Sequence, residues 1–121
     1  MKNLSILIIA VMLLALILAG CSRPEITLNP DIRGKITAID ENQENVSILI
    51  EGPIQQDTGY DKARVTITAD TEILLQQENQ ISKVDIAYLQ QGQTVQAVFN
   101  GPVMESYPVQ AQAEEIIILQ P

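Results

Sequence analysis

From Ile32 onward the apolar side chains of this chain recur mostly at every second position, in short runs separated by Gly, Pro, Asn and Asp. A period of two is that of a β-strand, whose successive side chains face opposite sides of a sheet. Ile32 to Asp40 sets Ile32, Gly34, Ile36 and Ala38 on one face, and Arg33, Lys35, Thr37 and Ile39 on the other. The polar stretch Glu41 to Asn45 interrupts this run and Val46 to Glu51 resumes it, which predicts a hairpin. Gly52 to Asp61 reads as a loop, and Ala63, Val65 and Ile67 mark one face of a third strand. Asp70-Thr71 turns the chain into Glu72 to Gln76, a short apolar run read most simply as a further strand or strand extension, with a helix as the alternative.

One helix is expected. Ser82-Lys83-Val84-Asp85 has the form of a capping box with Asp in place of Glu, followed by about two helical turns on which Val84, Ala87 and Tyr88 share a face. Gly92 is placed to end that helix in the left-handed conformation. Thr94 to Asn100 alternates again and Gly101-Pro102 is expected to stop it. Val103 to Pro108 reads as a loop, and Val109 to Leu119 as a strand whose Ile116-Ile117-Ile118-Leu119 end is buried on both sides. Five or six short strands with one short helix predict an all-β domain, closed or partly open as a barrel, because closure removes edges that a sheet this small cannot otherwise cover.

The chain before this domain has a different character. Met1-Lys2-Asn3 supplies a short positive end, and Leu4 to Ala19 is apolar apart from Ser5, leading into Leu18-Ala19-Gly20-Cys21. That tetrapeptide resembles a bacterial lipobox, so residues 1–20 are expected to be a lipoprotein signal peptide and Cys21 the lipid-attachment residue. As a helix, Leu4 to Ala19 would span about 24 Å, short of the roughly 30 Å hydrocarbon core, which argues against a permanent membrane span. Two acyl chains on Cys21 would anchor the protein stably on the extracytoplasmic face of the cell membrane. Residues 21–30, with Pro24 and Pro30, read as a tether to the domain of residues 31–121.

Charge and rare residues restrict the chemistry. Removing the leader takes Lys2 alone and leaves 6 basic side chains against 15 acidic ones, a net charge of −9. Such a surface repels phosphate backbones, so no nucleic acid is expected as partner. It also repels anionic headgroups, so membrane attachment is expected from the lipid alone, with the protein body standing off the surface. The sequence has one Cys and no His. Intrachain disulfides, Cys or His zinc sites, Ser-His-Asp triads and Cys-His nucleophiles are thereby excluded. No cofactor and no catalytic residue is expected, and the domain is read as a monomer.

The chain resembles the YobA-like family, small lipoproteins of Gram-positive bacilli built on a domain of unknown function. The resemblance rests on Gly34-Lys35-Ile36, Tyr60-Asp61-Lys62-Ala63, Gly92-Gln93-Thr94-Val95, Phe99-Asn100-Gly101-Pro102-Val103, Glu105-Ser106-Tyr107-Pro108 and Gln110-Ala111. It implies an OB-like barrel and a lipid anchor, and it brings no established activity or ligand.

Candidate binding residues fall in two loops. Glu105, Ser106 and Tyr107, with Pro108 kinking the backbone, offer a carboxylate, a hydroxyl and a phenol beside a strand end. The plainer reading is structural: Pro108 fixes a turn, Tyr107 packs over the barrel end and Glu105 caps a neighbouring N–H. Asp57, Tyr60 and Asp61 lie in the other long loop and would join Glu105 if both loops cover one barrel face. Such oxygens suit Ca²⁺ or Mg²⁺, yet their spacing is not that of an EF-hand loop, and solvated surface charge is the simpler reading, so no metal is assigned. Ser106 with Lys62 is the remaining nucleophile arrangement, and local spacing does not support it. The sequence therefore points to a non-enzymatic binding or interaction module for a protein, peptide or small ligand, with a structural envelope accessory as the alternative. A hollow lined by Tyr60, Glu105 and Tyr107 would favour binding at these loops.

Overall fold

In the computed structural model, which describes residues 29–120, the alternating runs become strands β1 (Ile32–Glu41), β2 (Val46–Glu51), β3 (Lys62–Ile67), β4 (Glu72–Gln77), β5 (Gln80–Lys83), β6 (Thr94–Met104) and β7 (Val109–Gln120). The leader of residues 1–20, the lipobox Cys21 and the tether up to residue 28 lie outside the described residues. Among the described residues no helix is long and apolar enough to cross a membrane.

Five strands close on themselves. β1 pairs antiparallel with β2, β2 with β3 and β6 with β7; β1 also pairs antiparallel with β6, and β3 lies parallel to β7. This is the expected OB-like barrel, closed and mixed, to which β4 and β5 are added along β7. β7 serves two neighbours on one edge: its first half, Val109 to Gln112, lies beside β3, and its second half, Glu115 to Gln120, beside β4. At the changeover the Thr71 hydroxyl donates to the Ala113 carbonyl at 2.7 Å and accepts from the Thr68 amide at 2.9 Å. One hydroxyl therefore occupies the gap in the ladder where no strand residue is placed.

The interior is filled by β-branched side chains from every wall of the barrel. Ile32, Ile36, Ile48, Ile50, Val65, Val95, Ile116 and Ile118 are fully buried, and Phe99, Tyr60, Val84 and Leu89 pack against or within this cluster. Ile117 and its parallel neighbour Leu74 are fully buried as well, on the opposite face of their strands. The expectation that the end of β7 is buried on both sides holds for Ile116, Ile117 and Ile118.

Three local expectations are corrected. Ile39 belongs to the core side and not to the outer one, because a bulge between Ile36 and Ala38 adds one residue to β1 and reverses the alternation after it. The helix after Ser82 is absent: Ser82 and Lys83 extend β5 along Leu75 and Leu74, and the Val84 amide donates to the Ile73 carbonyl at 3.0 Å. Only a 3-10 turn, Ile86–Tyr88, remains, with Asp85 accepting from the Ala87 amide. Gln93 holds the next segment as a loop, accepting from the Gln90 amide and donating to the Tyr88 carbonyl, while Gly92 takes the expected left-handed conformation at φ 96°. Finally, Gly101-Pro102 does not end β6, which runs to Met104 through a register irregularity with Gly101 at φ 78°.

Candidate functional site

Strand direction decides which loops share an end of the barrel. β3 and β7 start side by side, Ala63 opposite Val109, so the loop before β3 and the loop before β7 meet. There the Tyr107 hydroxyl donates to Asp61 Oδ2 at 3.2 Å. Lys62 Nζ stands 5.8 Å from the centroid of the Tyr107 ring and 3.3 Å from Glu51 Oε1. The Asp61 carboxylate, which favours the neutral phenol, pushes the Tyr107 hydroxyl above its ordinary pKa. Glu51 is held low by its hydrogen bond with Thr37 and then by Lys62.

The other expected residues at this end are placed as follows. The Ser106 hydroxyl donates to the Pro108 carbonyl at 2.8 Å, across a Tyr107-Pro108 peptide that is cis, and accepts from Gln110 Nε2 at 3.5 Å. Lys62 is directed to Glu51 and not into a pair with Ser106. Glu105 is exposed. Tyr60 is half-buried, its ring 5.5 Å from that of Phe99, and together these rings stop the end of the core. Asp57 points to a different wall, where Arg33 grips it through two nitrogens at 3.1 and 2.7 Å and also donates to Gln96 Oε1 at 3.1 Å. Arg33 thereby holds the Asp57 carboxyl below the usual carboxylate range. Asp57 and Asp61 are thus separated in role, and among the described residues no group of three or more acidic, His or Cys side chains could hold a metal ion.

Tyr107 and Asp61 therefore make one surface from two loops. The two loops that meet at this end, with the last residue of β6, also hold the three most exposed large apolar side chains of the described residues: Tyr107 at 71%, Met104 at 62% and Ile54 at 60%. Neither Ile54 nor Met104 is marked by a period in the sequence, since Ile54 stands alone in a polar loop and Met104 follows the Gly101-Pro102 break.

Two hollows of the surface are lined by neither Tyr60, Glu105 nor Tyr107, and the second of them shares Met104 with this end. At the opposite end, where β1 turns into β2 and β3 into β4, a hollow of about 430 Å³ has an apolar floor of Val46, Ile67, Ile73 and Val84. Its rim is of amides and hydroxyls, among them Asn42, Asn45, Thr68 and Thr71, and Ile86 stands at its edge. Asn42 shapes this rim by accepting from the Asn45 amide at 2.8 Å and the Glu44 amide at 3.1 Å. The Asn-containing interruption after β1 was the available signal for it, read from sequence only as a turn. A second hollow, of about 680 Å³, runs along the arm of β6 and β7, between Val103 and Met104 on one side and Thr66, Gln110 and Gln112 on the other.

A family model described as a protein of unknown function, DUF3221, matches residues 37–120. No curated protein and no solved structure matches the chain.

Proposed function

The chain belongs to this family of unknown function, and we propose that it is a lipid-anchored, extracytoplasmic binding module of the YobA-like lipoprotein type, not an enzyme, that holds a small neutral ligand at the far mouth of its barrel. The hollow there carries the proposal. It combines a floor of four aliphatic side chains with a rim of neutral hydrogen-bonding groups, the composition by which barrel mouths take small ligands. Glu44 is the one charged residue lining it, so a ligand with an apolar body and neutral polar edges suits it.

The anchor follows from Leu18-Ala19-Gly20-Cys21, with Cys21 as the acylated residue. Metabolic labelling with a fatty acid tests that part: the wild-type chain takes label and Cys21→Ala does not, whereas a labelled Cys21→Ala protein overturns the lipobox. Ligand binding is tested with a photo-crosslinking residue at Ile86, on the rim, and at the exposed Glu114 as control, irradiated on intact cells. An adduct of defined mass at position 86 and none at 114 supports the proposal. No adduct at 86 overturns it in favour of a structural role in the envelope.

A further inference from the structure

We propose that the end of the barrel carrying Ile54, Met104 and Tyr107 rests on the lipid bilayer, its apolar side chains in the interface, so that the far mouth faces away from the membrane. This rests on the reading of Cys21 as a lipid anchor and goes beyond it, since an anchor alone leaves the domain free to stand off and turn.

Two independent features of the structure converge on this end. The first is where the described chain begins. The Asp31 amide donates to the Ala97 carbonyl, the Gly59 amide donates to the Asp31 carbonyl and the Phe99 amide donates to Asp31 Oδ2, at 2.9, 2.9 and 2.8 Å. Asp31 is thus bound into the loop of residues 52–61 and the outgoing part of β6. The chain enters the barrel at the end where Tyr107 meets Asp61. Residues 22–30 reach no further than about 30 Å even when fully extended, so a lipid on Cys21 holds the point of entry within that distance of the membrane.

The second feature is the exposure of Ile54, Met104 and Tyr107 at that same end. All three stand in, or at the edge of, the two loops that meet there. A Tyr whose ring is apolar and whose hydroxyl is polar suits the headgroup level, and Ile and Met suit the acyl boundary below it. The neighbouring basic side chains do not form a free cationic patch: Arg33 is committed to Asp57 and Lys62 to Glu51. Contact is therefore apolar and, because the acidic domain with Glu105 exposed beside Met104 repels anionic headgroups, directed at zwitterionic lipid, in place of the stand-off expected from net charge alone. It is weak by itself, and the anchor makes it sufficient by raising the local concentration of bilayer.

The sequence contains no Trp, so single-Trp variants report one position each. Ile54→Trp, Met104→Trp and Tyr107→Trp, with Gln43→Trp at the far mouth as control, are purified from membranes as full chains and reconstituted into phosphatidylcholine vesicles with or without brominated acyl chains. Expected is at least a two-fold loss of emission in brominated vesicles at positions 54, 104 and 107, and little change at 43. Protein that floats with the vesicles but is quenched nowhere, or equally at all four positions, overturns this inference and leaves the anchor standing. Blue-shifted emission at 54, 104 and 107 without bromine quenching reports a protein contact and overturns it too. Protein that does not float overturns the anchor, and this inference with it.

Discussion

Gly34 and Gly52 lie against each other so closely that neither has room for a side chain. A Cβ on Gly34 would overlap the Glu51 carbonyl, and one on Gly52 would overlap the Arg33 carbonyl and stand 2.7 Å from the Gly34 Cα. The contact lies where β1, shared between β2 and β6, passes the end of β2. Backbone meets backbone there, so no side-chain rotation can relieve an added methyl group.

Gly34→Ala and Gly52→Ala are each expected to lower the stability of the fold by about 1–3 kcal/mol, the usual cost of overpacking. Gly59→Ala, where an added Cβ meets nothing within 4 Å, is the control. Urea denaturation compares the three, and equal midpoints for Gly34→Ala and Gly59→Ala would refute the argument.

Thr71→Val keeps the shape of the side chain and removes the donor to the Ala113 carbonyl and the acceptor for the Thr68 amide. A loss of about 1–2 kcal/mol is expected, because neutral hydrogen bonds are broken and their partners left partly covered. Thr66→Val, on the outer side of β3, should stay within about 0.5 kcal/mol of the parent. The same denaturation series decides it, and no difference between the two variants would count against a special role for the changeover at Thr71.

Glu115 is 5% exposed and its Oε1 has no hydrogen-bond partner. Burial, then the charges of Glu72 beside it in register and of Glu114 next to it, push its carboxyl above the ordinary range; Lys83 pairs with Glu72 at 3.2 Å. A carboxyl whose folded pKa is raised holds its proton more tightly in the native state than in the unfolded chain. Its contribution therefore weakens stability as pH rises from the ordinary carboxylate range through the raised value. Glu115→Gln is expected to be more stable than the parent at pH 7, with the difference shrinking as pH falls to 4. A variant less stable than the parent at pH 7 would mean that the carboxylate is compensated.

Tyr107→Phe removes one exposed hydrogen bond and should change stability by less than about 0.5 kcal/mol. Asp61→Asn has the more informative effect. With the Asp61 charge gone, the Tyr107 phenol should titrate at lower pH, read as phenolate absorbance with Tyr60→Phe and Tyr88→Phe backgrounds to isolate it. An unchanged midpoint would show that Asp61 does not set the phenol's environment.

Much of this architecture was legible in the period-two runs, since Val46 to Glu51 and Val109 to Leu119 needed only their own alternation and flanking turn residues to be read as strands. The segment from Ser82 to Gly92 was not, because helical spacing of Val84, Ala87 and Tyr88 competes with an edge that β4 offers to residues 80–83 and that only the folded sheet supplies. Ile39 was placed on the wrong face for a similar reason: a bulge is set by how two strands coil around each other, and the residues of β1 carry no local mark of it.

For the candidate site the division is sharper. The sequence by itself determined the strands other than β5, the acidic charge, the absence of His and of any Cys beyond Cys21, and two polar loops with the residues for hydrogen bonding. Only the tertiary structure decided that Tyr107 and Asp61, 46 residues apart, would meet, that Asp57 would go to Arg33, and that the hollow would open at the opposite end. The physical reason is the parallel pairing of β3 with β7. It closes the barrel, brings the starts of two distant strands together and turns their loops into one surface, and no pattern within either segment encodes that partner.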